Sequence, residues 1–433
     1  MRFFIFFSFA FSVVGAQQYA PLDTLDHDAR KANKELFTNK LDDFSKELDR
    51  KYASNTVWHV KKELEEFKTF FLKSFDRSSY VYNTPFNYKV DSIYKEIYLN
   101  NSNVPNDLQI LVSRDVSLNA RCLINGTLVV NMGAIHFLEN EDQLAAIVCH
   151  EVAHKLLRHS EKSIVESVSE KYSQKTKNEN LEIKRQKYNR QKRAFSILKE
   201  KLYSKSGVNK KQELEADSLG YTLLKNTKYS AFEFLKALEY SSQFDTIRPA
   251  NLELNTYKLV FDLPEQPFND RWLEQEDFSQ YDYVFEEKLS KDSLSDHPEM
   301  DERIKQLQKK FSELQDYKNQ NPVFGENTSY QALRVIAKKE QVPSLFYEKS
   351  YGFCIYLALY RIQQNDMVDF HKEWLGKAFQ AMYEARKSYM ANKYLDRIDP
   401  KNQTESYQQF INFMWNLRLN EIEKIAIHFS KES

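Results

Sequence analysis

The chain has 433 residues, 42% hydrophobic and 29% charged, and its 62 basic and 62 acidic side chains cancel to a formal charge of zero. That length can bury a large core and accommodate two or three structural units, and the neutral balance excludes a general electrostatic case for nucleic acid or an anionic membrane as partner. With only 8 Gly and 10 Pro, long helices with few tight turns are expected.

Residues 1–16 carry one positive charge at Arg2, a short apolar run and small residues before Gln17, the pattern of a secretory signal peptide with a cleavage site. The run falls short of the ~20 residues a membrane span needs. An exported mature chain without a stable span is therefore expected, periplasmic or extracellular, with an uncleaved membrane anchor as the alternative. Three cysteines, Cys122, Cys149 and Cys354, are too few for a disulfide framework. Residues 17–84 read as an N-terminal helical segment, with Val60, Leu64, Phe67, Phe71 and Phe75 on one stripe.

From Leu108 the pattern changes to strands at 108–112, 121–124 and 127–131, the last two joined by the hairpin-type turn Asn125-Gly126. The last strand is expected to lie along a cleft and pair with an extended substrate. Next comes an apolar helix without Gly or Pro that ends in Cys149-His150-Glu151-Val152-Ala153-His154. On a helix, His150 and His154 share one face, about 6 Å apart. Two neutral imidazoles so placed can bind one zinc ion, and Glu151 between them can take a proton from a water held there. This is the H-E-x-x-H pattern of zinc peptidases.

A third histidine three residues after a glycine does not follow. Leu157 and Ser160 stand in those places, so the third ligand must come from elsewhere. His159 lies about 140° round the helix from His154, is a poor ligand candidate and is expected near the helix end without touching the metal. Residues 161–211 are charged and helical and read as a solvated face, not a nucleic-acid site. In Gln212-Glu213-Leu214-Glu215-Ala216-Asp217, Glu213 and Asp217 share a face, so one can bind metal while the other orients a ligand; Glu215 faces the opposite side. Gly220 would allow close helix packing. Residues 243–293, acidic and aromatic with three prolines, are expected as an irregular surface insertion. Asp296-His297-Pro298 then opens a helix bearing Arg303, with Pro298 suited to its first turn and His297 at its mouth. Residues 313–433 form a helical accessory region whose expected core includes Leu357, Leu359, Trp374, Phe379, Met382, Trp415 and Leu417.

Three motifs, His150 to His154, Glu213 to Asp217, and Asp296-His297-Pro298 through Arg303, resemble in order the signature of metallopeptidase family forty-eight, which includes HtpX, the CAAX prenyl proteases and BepA-type periplasmic proteases. The similarity covers residues 85–312. It implies an α+β, mostly α-helical fold, a gluzincin-type zincin unit with a small β-sheet and flanking helices. It further implies one zinc per chain on His150, His154 and Glu213, with Asp217 behind them, Glu151 as catalytic base, and His297 and Arg303 at the active site. His297 there either stabilises the tetrahedral intermediate or sits on the zinc as a self-inhibiting plug. The multiple spans of the membrane members are missing, which argues against prenylated substrates. The expected activity is an exported zinc endopeptidase acting on protein or peptide substrates in envelope quality control, with envelope partners on the C-terminal helices. The alternative is a chaperone or assembly factor with a plugged or silent site.

Overall fold

The computed structural model describes residues 19–185, 190–244, 251–274, 300–319, 328–399 and 403–431. Residues 1–16, read above as a signal peptide, lie outside these. Helices α1 (His27–Lys51) and α2 (Ser54–Asp76) pack as a hairpin, because Phe37, Leu41, Phe44 and Leu48 on one and Val57, Val60, Leu64, Phe71 and Phe75 on the other form facing apolar stripes. Phe37 and Phe71 stack between them at 4.5 Å.

The hairpin covers one face of a four-stranded sheet ordered β1 (Tyr80–Val81), β2 (Gln109–Ser113), β4 (Thr127–Asn131), β3 (Ala120–Cys122). Helix α3 (Pro85–Asn100) precedes β2. β4 runs parallel to β2, with Ile110 opposite Leu128 and Val112 opposite Val130, and antiparallel to β3. Alternation splits the sheet cleanly. Leu111 and Val129 meet α1 and α2, whereas Val112, Leu128 and Val130 meet α3 and the helices that follow. The turn between β3 and β4 needs Gly126, whose φ of +83° is left-handed and whose Cβ would come within 3.1 Å of Leu108.

This order corrects one expectation. The strand 127–131 is central and buried along its whole length, so it cannot pair with a substrate; the sheet edge beside the helix of the histidines is β3. The reason lies outside any local pattern, since β4 inserts between β2 and β3 by pairing on both sides.

After β4 come α4 (Met132–Phe137), α5 (Glu141–Leu156), α6 (His159–Lys171), α7 (Gln174–Arg185), α8 (Arg190–Lys225) and α9 (Glu233–Phe244), then α10 (Leu254–Phe261) and α11 (Met300–Lys310). The mostly helical α+β architecture with a small sheet agrees with the zincin-type expectation.

A second core is formed by α12 (Thr328–Tyr347), α13 (Tyr351–Gln363), α14 (Val368–Lys387), α15 (Glu405–Asn416) and α16 (Leu419–Lys431). Leu359, Trp374, Phe379, Met382 and Leu417 are buried there, but Trp415 is 37% exposed under the Arg386 guanidinium. Residues 251–274, expected as a surface excursion, instead supply fully buried Tyr257, Phe261 and Trp272 to this core. Their aromatics pack on Phe413 and Phe379, and that apolar burial outweighs the polar character of the segment. A buried ion pair ties the two cores: Arg114, just after β2, reaches Glu340 of α12 at 3.3 Å, and Glu340 also accepts the Leu22 N–H. Among the described residues no helix is long and apolar enough to cross a membrane.

Candidate metal centre

Helix α5 starts at Asn140, whose side chain caps the Gln143 N–H, and it is buried at Leu144, Ala145, Val148, Cys149, Val152 and Ala153. That packing on β3 and β4 fixes its rotation and turns His150 and His154 together toward a cleft. Helix α8 crosses directly behind. At Gly220 an added Cβ would lie 2.9 Å from the His150 Cα, so only glycine permits this approach. One to two turns earlier on α8, the close crossing brings Glu213 and Asp217 under the two imidazoles.

The three side chains converge. His150 Nε2 and His154 Nε2 are 3.1 Å apart, and each lies 3.4 Å from a Glu213 carboxylate oxygen. With metal bonds of 2.0–2.1 Å, two ligand atoms of a tetrahedral zinc are separated by about 3.3 Å. The observed separations match that edge length, and two imidazoles with one carboxylate are a donor set suited to zinc. The residues therefore fit a divalent metal.

A family model for peptidase family M48 matches residues 87–310. The chain belongs to peptidase family M48. A search of curated proteins finds no match to it. Membership makes this M48 protein a metallopeptidase, a hydrolase whose substrates are proteins, and His150, His154 and Glu213 form a cluster that can hold the metal.

Behind the cluster, His150 Nδ1 lies 3.0 Å from Asp217 Oδ1, although its N–H is not straight at that oxygen. Arg303 on α11 grips Asp217 with both arms of its guanidinium, at 2.7 and 2.6 Å, and reaches Glu213 at 3.3 Å. All of Asp217 and nearly all of Arg303 are buried. Burial raises the Asp217 pKa, but the Arg303 bonds prevail and hold the carboxyl below its usual range. A bound dication together with Arg303 would balance Glu151, Glu213 and Asp217. Burial likewise opposes a charged His150, yet bonds to Asp217 and Glu213 lift its pKa to about 10. The acids thus favour positive charge at this spot, for which a proton and a divalent cation compete.

Glu151 extends to the opposite wall of the cleft, where its Oε2 accepts the Cys122 N–H of β3 at 2.9 Å. Burial pushes its carboxyl up to about 7, against the lowering pull of His150 and of that N–H. Cys122 and Cys149 are buried thiols raised by burial, Cys122 to about 12. Neither contributes a ligand to the cluster. The cleft holds about 600 Å³ between β3, α5 and α8, with Leu238 and Met300 on its walls.

His159 stays out of the metal cluster, as expected, but sequence spacing did not place it against His154, and it misplaced Glu215. His159 Nδ1 sits 3.0 Å from His154 Nδ1, and His159 Nε2 sits 3.2 Å from Glu215 Oε2. The helical wheel fails because α5 stops at Leu156 and Arg158 turns left-handed at φ +57°, which folds His159 back behind His154. Glu215, expected to face away from the site, reaches it through His159. Neither relation has a signature in the spacing. His297, with Asp296 and Pro298, lies outside the described residues.

Proposed function

We propose that this M48 protein is a zinc-dependent endopeptidase, exported from the cytoplasm, that cleaves extended segments of misfolded or envelope proteins. The observation that carries the reading is the triangle of His150, His154 and Glu213 ligand atoms at tetrahedral-edge separations, with the Glu151 carboxylate opposed across the cleft.

In this reading His150, His154 and Glu213 hold the ion, which when bound supplies Lewis acidity toward the scissile carbonyl and the attacking water. Glu151 takes the proton of that water and later gives it to the leaving amine. A carboxyl near pH 7 is balanced between those two duties. The Cys122 N–H keeps it aimed, because its second oxygen stays free when the first is anchored. Asp217 and Arg303 are positioning residues: the first orients His150 and the second stops the buried acids from repelling one another. His297 is assigned the stabilisation of the tetrahedral oxyanion that its His-Pro motif implies. The outward main-chain groups of β3 receive the substrate backbone, and since they sit along an open side of the cleft, a segment internal to a protein can enter.

The test is casein cleavage by the purified mature chain, with metal content measured on the same sample and Glu151→Gln as control. Chelator-sensitive cleavage, about one zinc per chain, and a Glu151→Gln variant that keeps the zinc and loses turnover are expected. Full activity in Glu151→Gln would overturn the assignment of the base, and a metal-free protein that still cleaves would overturn the metal mechanism.

A further inference from the structure

Edge strand β3 presents two chemically different sides. Asn119 O accepts the Asn131 N–H and Leu123 N–H bonds to Thr127 O, so these residues face β4 and the main-chain groups of Ala120 and Cys122 face outward. A peptide strand laid on that edge would pair with Ala120 and with the Cys122 carbonyl, the Cys122 N–H being held by Glu151, and lie directly opposite Arg121 between them. Ala120 and Cys122 bury their side chains on the α5 side. Arg121, in register with Val129, is exposed on the other face of the sheet.

A second cleft opens there, of about 370 Å³, between α2, the ends of β1 and β2, and α12. Its charged lining is Lys73, Arg77, Arg114, Arg121, Asp115 and Glu348. Arg114 is committed to Glu340, and Asp115 accepts both the backbone N–H and the hydroxyl of Ser117 at 2.8 Å. Lys73, Arg77 and Arg121 make no ion pair among the described residues, whereas Lys34, Lys61 and Lys68 of the same helical hairpin each meet an aspartate. The cleft thus presents three cations without an ion-paired carboxylate, Arg121 beside the Tyr80 hydroxyl and Arg77 within the field of Glu348, on the face toward which every second side chain of a paired strand must point.

We propose that this cleft is a specificity subsite for an acidic side chain of the substrate, the one directly across from Arg121 in a strand added to β3. The proposal rests on the peptidase reading of the neighbouring site. Side chains directly opposite across a strand pair stand about 5 Å apart, within reach of a charge pair, and Lys73 and Arg77 add to the field. Neighbouring substrate residues point to the α5 side, where Arg303 is already bound to Asp217.

The experiment uses the zinc-loaded full chain and a set of fluorogenic peptides that differ only in where one Glu replaces Gln, stepped through three residues on each side of the scissile bond. At one position Glu should lower KM roughly fivefold, the size of a modest cross-strand charge pair, with kcat little changed. The positions next to it should show no preference. Arg121→Glu should reverse the preference in favour of Lys, and Arg77→Gln should reduce it. An acid preference at no position, or one that survives Arg121→Glu, overturns the proposal. The same peptides, titrated by fluorescence anisotropy against Glu151→Gln, separate the two readings. Tighter binding of the Glu peptide without cleavage by the parent protein supports the subsite while refuting the peptidase, and equal binding of the Glu and Gln peptides refutes the subsite.

Discussion

His154 Nδ1 lies 3.0 Å from His159 Nδ1, and His159 Nε2 lies 3.2 Å from Glu215 Oε2, a chain that would run from His154 as donor to the carboxylate. The direction follows from chemistry: an imidazole that offers Nε2 to a metal while neutral must carry its proton on Nδ1. His159 must then accept on Nδ1 and donate from Nε2, and a carboxylate is the natural end of such a chain.

Replacing His159 by Ala should therefore weaken zinc binding by about 10- to 100-fold, the usual cost of losing such a partner. His159→Gln keeps an acceptor near His154 and should recover much of the loss. Competition titration with a chromophoric chelator reads both. Equal affinity in the Ala variant and the parent would show that the contact does not orient His154.

Arg303 reaches both Asp217 and Glu213 and is buried with them. Arg303→Met should cost about 3–5 kcal/mol in the metal-free protein, because two buried carboxylates lose their counter-charge. Saturating zinc should restore part of that stability. Urea denaturation with and without zinc measures it, and an identical loss in both conditions would mean that the metal and Arg303 do not share the same charges.

At Gly220 the approach of α8 to α5 leaves no room for a methyl group. Gly220→Ala should push Glu213 and Asp217 away from the histidines, lowering stability by about 1–3 kcal/mol and zinc affinity with it. The intrinsic helix preference of Ala runs the other way, so a stabilised variant would show that the crossing relaxes freely. Thermal unfolding with parallel metal titration decides.

His371 of α14 is buried far from the metal cluster, with its Nδ1 unbonded, and burial followed by the charge of Arg361 lowers its pKa to about 4. The sign follows from linkage. The unfolded imidazole, at about 6.5, takes up protons that the folded one refuses, so stability is full above pH 6.5 and falls as pH drops toward 4. The loss attributable to this group should approach about 3 kcal/mol. His371→Leu should flatten that acid limb in urea midpoints taken at pH 7 and pH 5, and an unchanged slope would assign it to other groups.

The chemical heart of the protein was legible in one dimension because it is local. Two histidines and a glutamate within one helical turn, and two acids four residues apart on another helix, declare their shared faces through the 3.6-residue period alone, and the three motifs in order point to the M48 family. The scarcity of Gly and Pro likewise announced a mostly helical chain. Tertiary structure decided what depends on contacts between residues distant in sequence. β4 became the central strand and β3 the edge because both neighbours of β4 pair with it. Residues 251–274 joined the C-terminal core because Tyr257, Phe261 and Trp272 found aromatic partners more than a hundred residues away. His159 came behind His154 because one left-handed residue ended a helix that periodicity would have continued. Periodicity reports which face of an element a residue occupies, whereas the identity of the neighbour on that face is set by packing, and packing is a property of the whole chain.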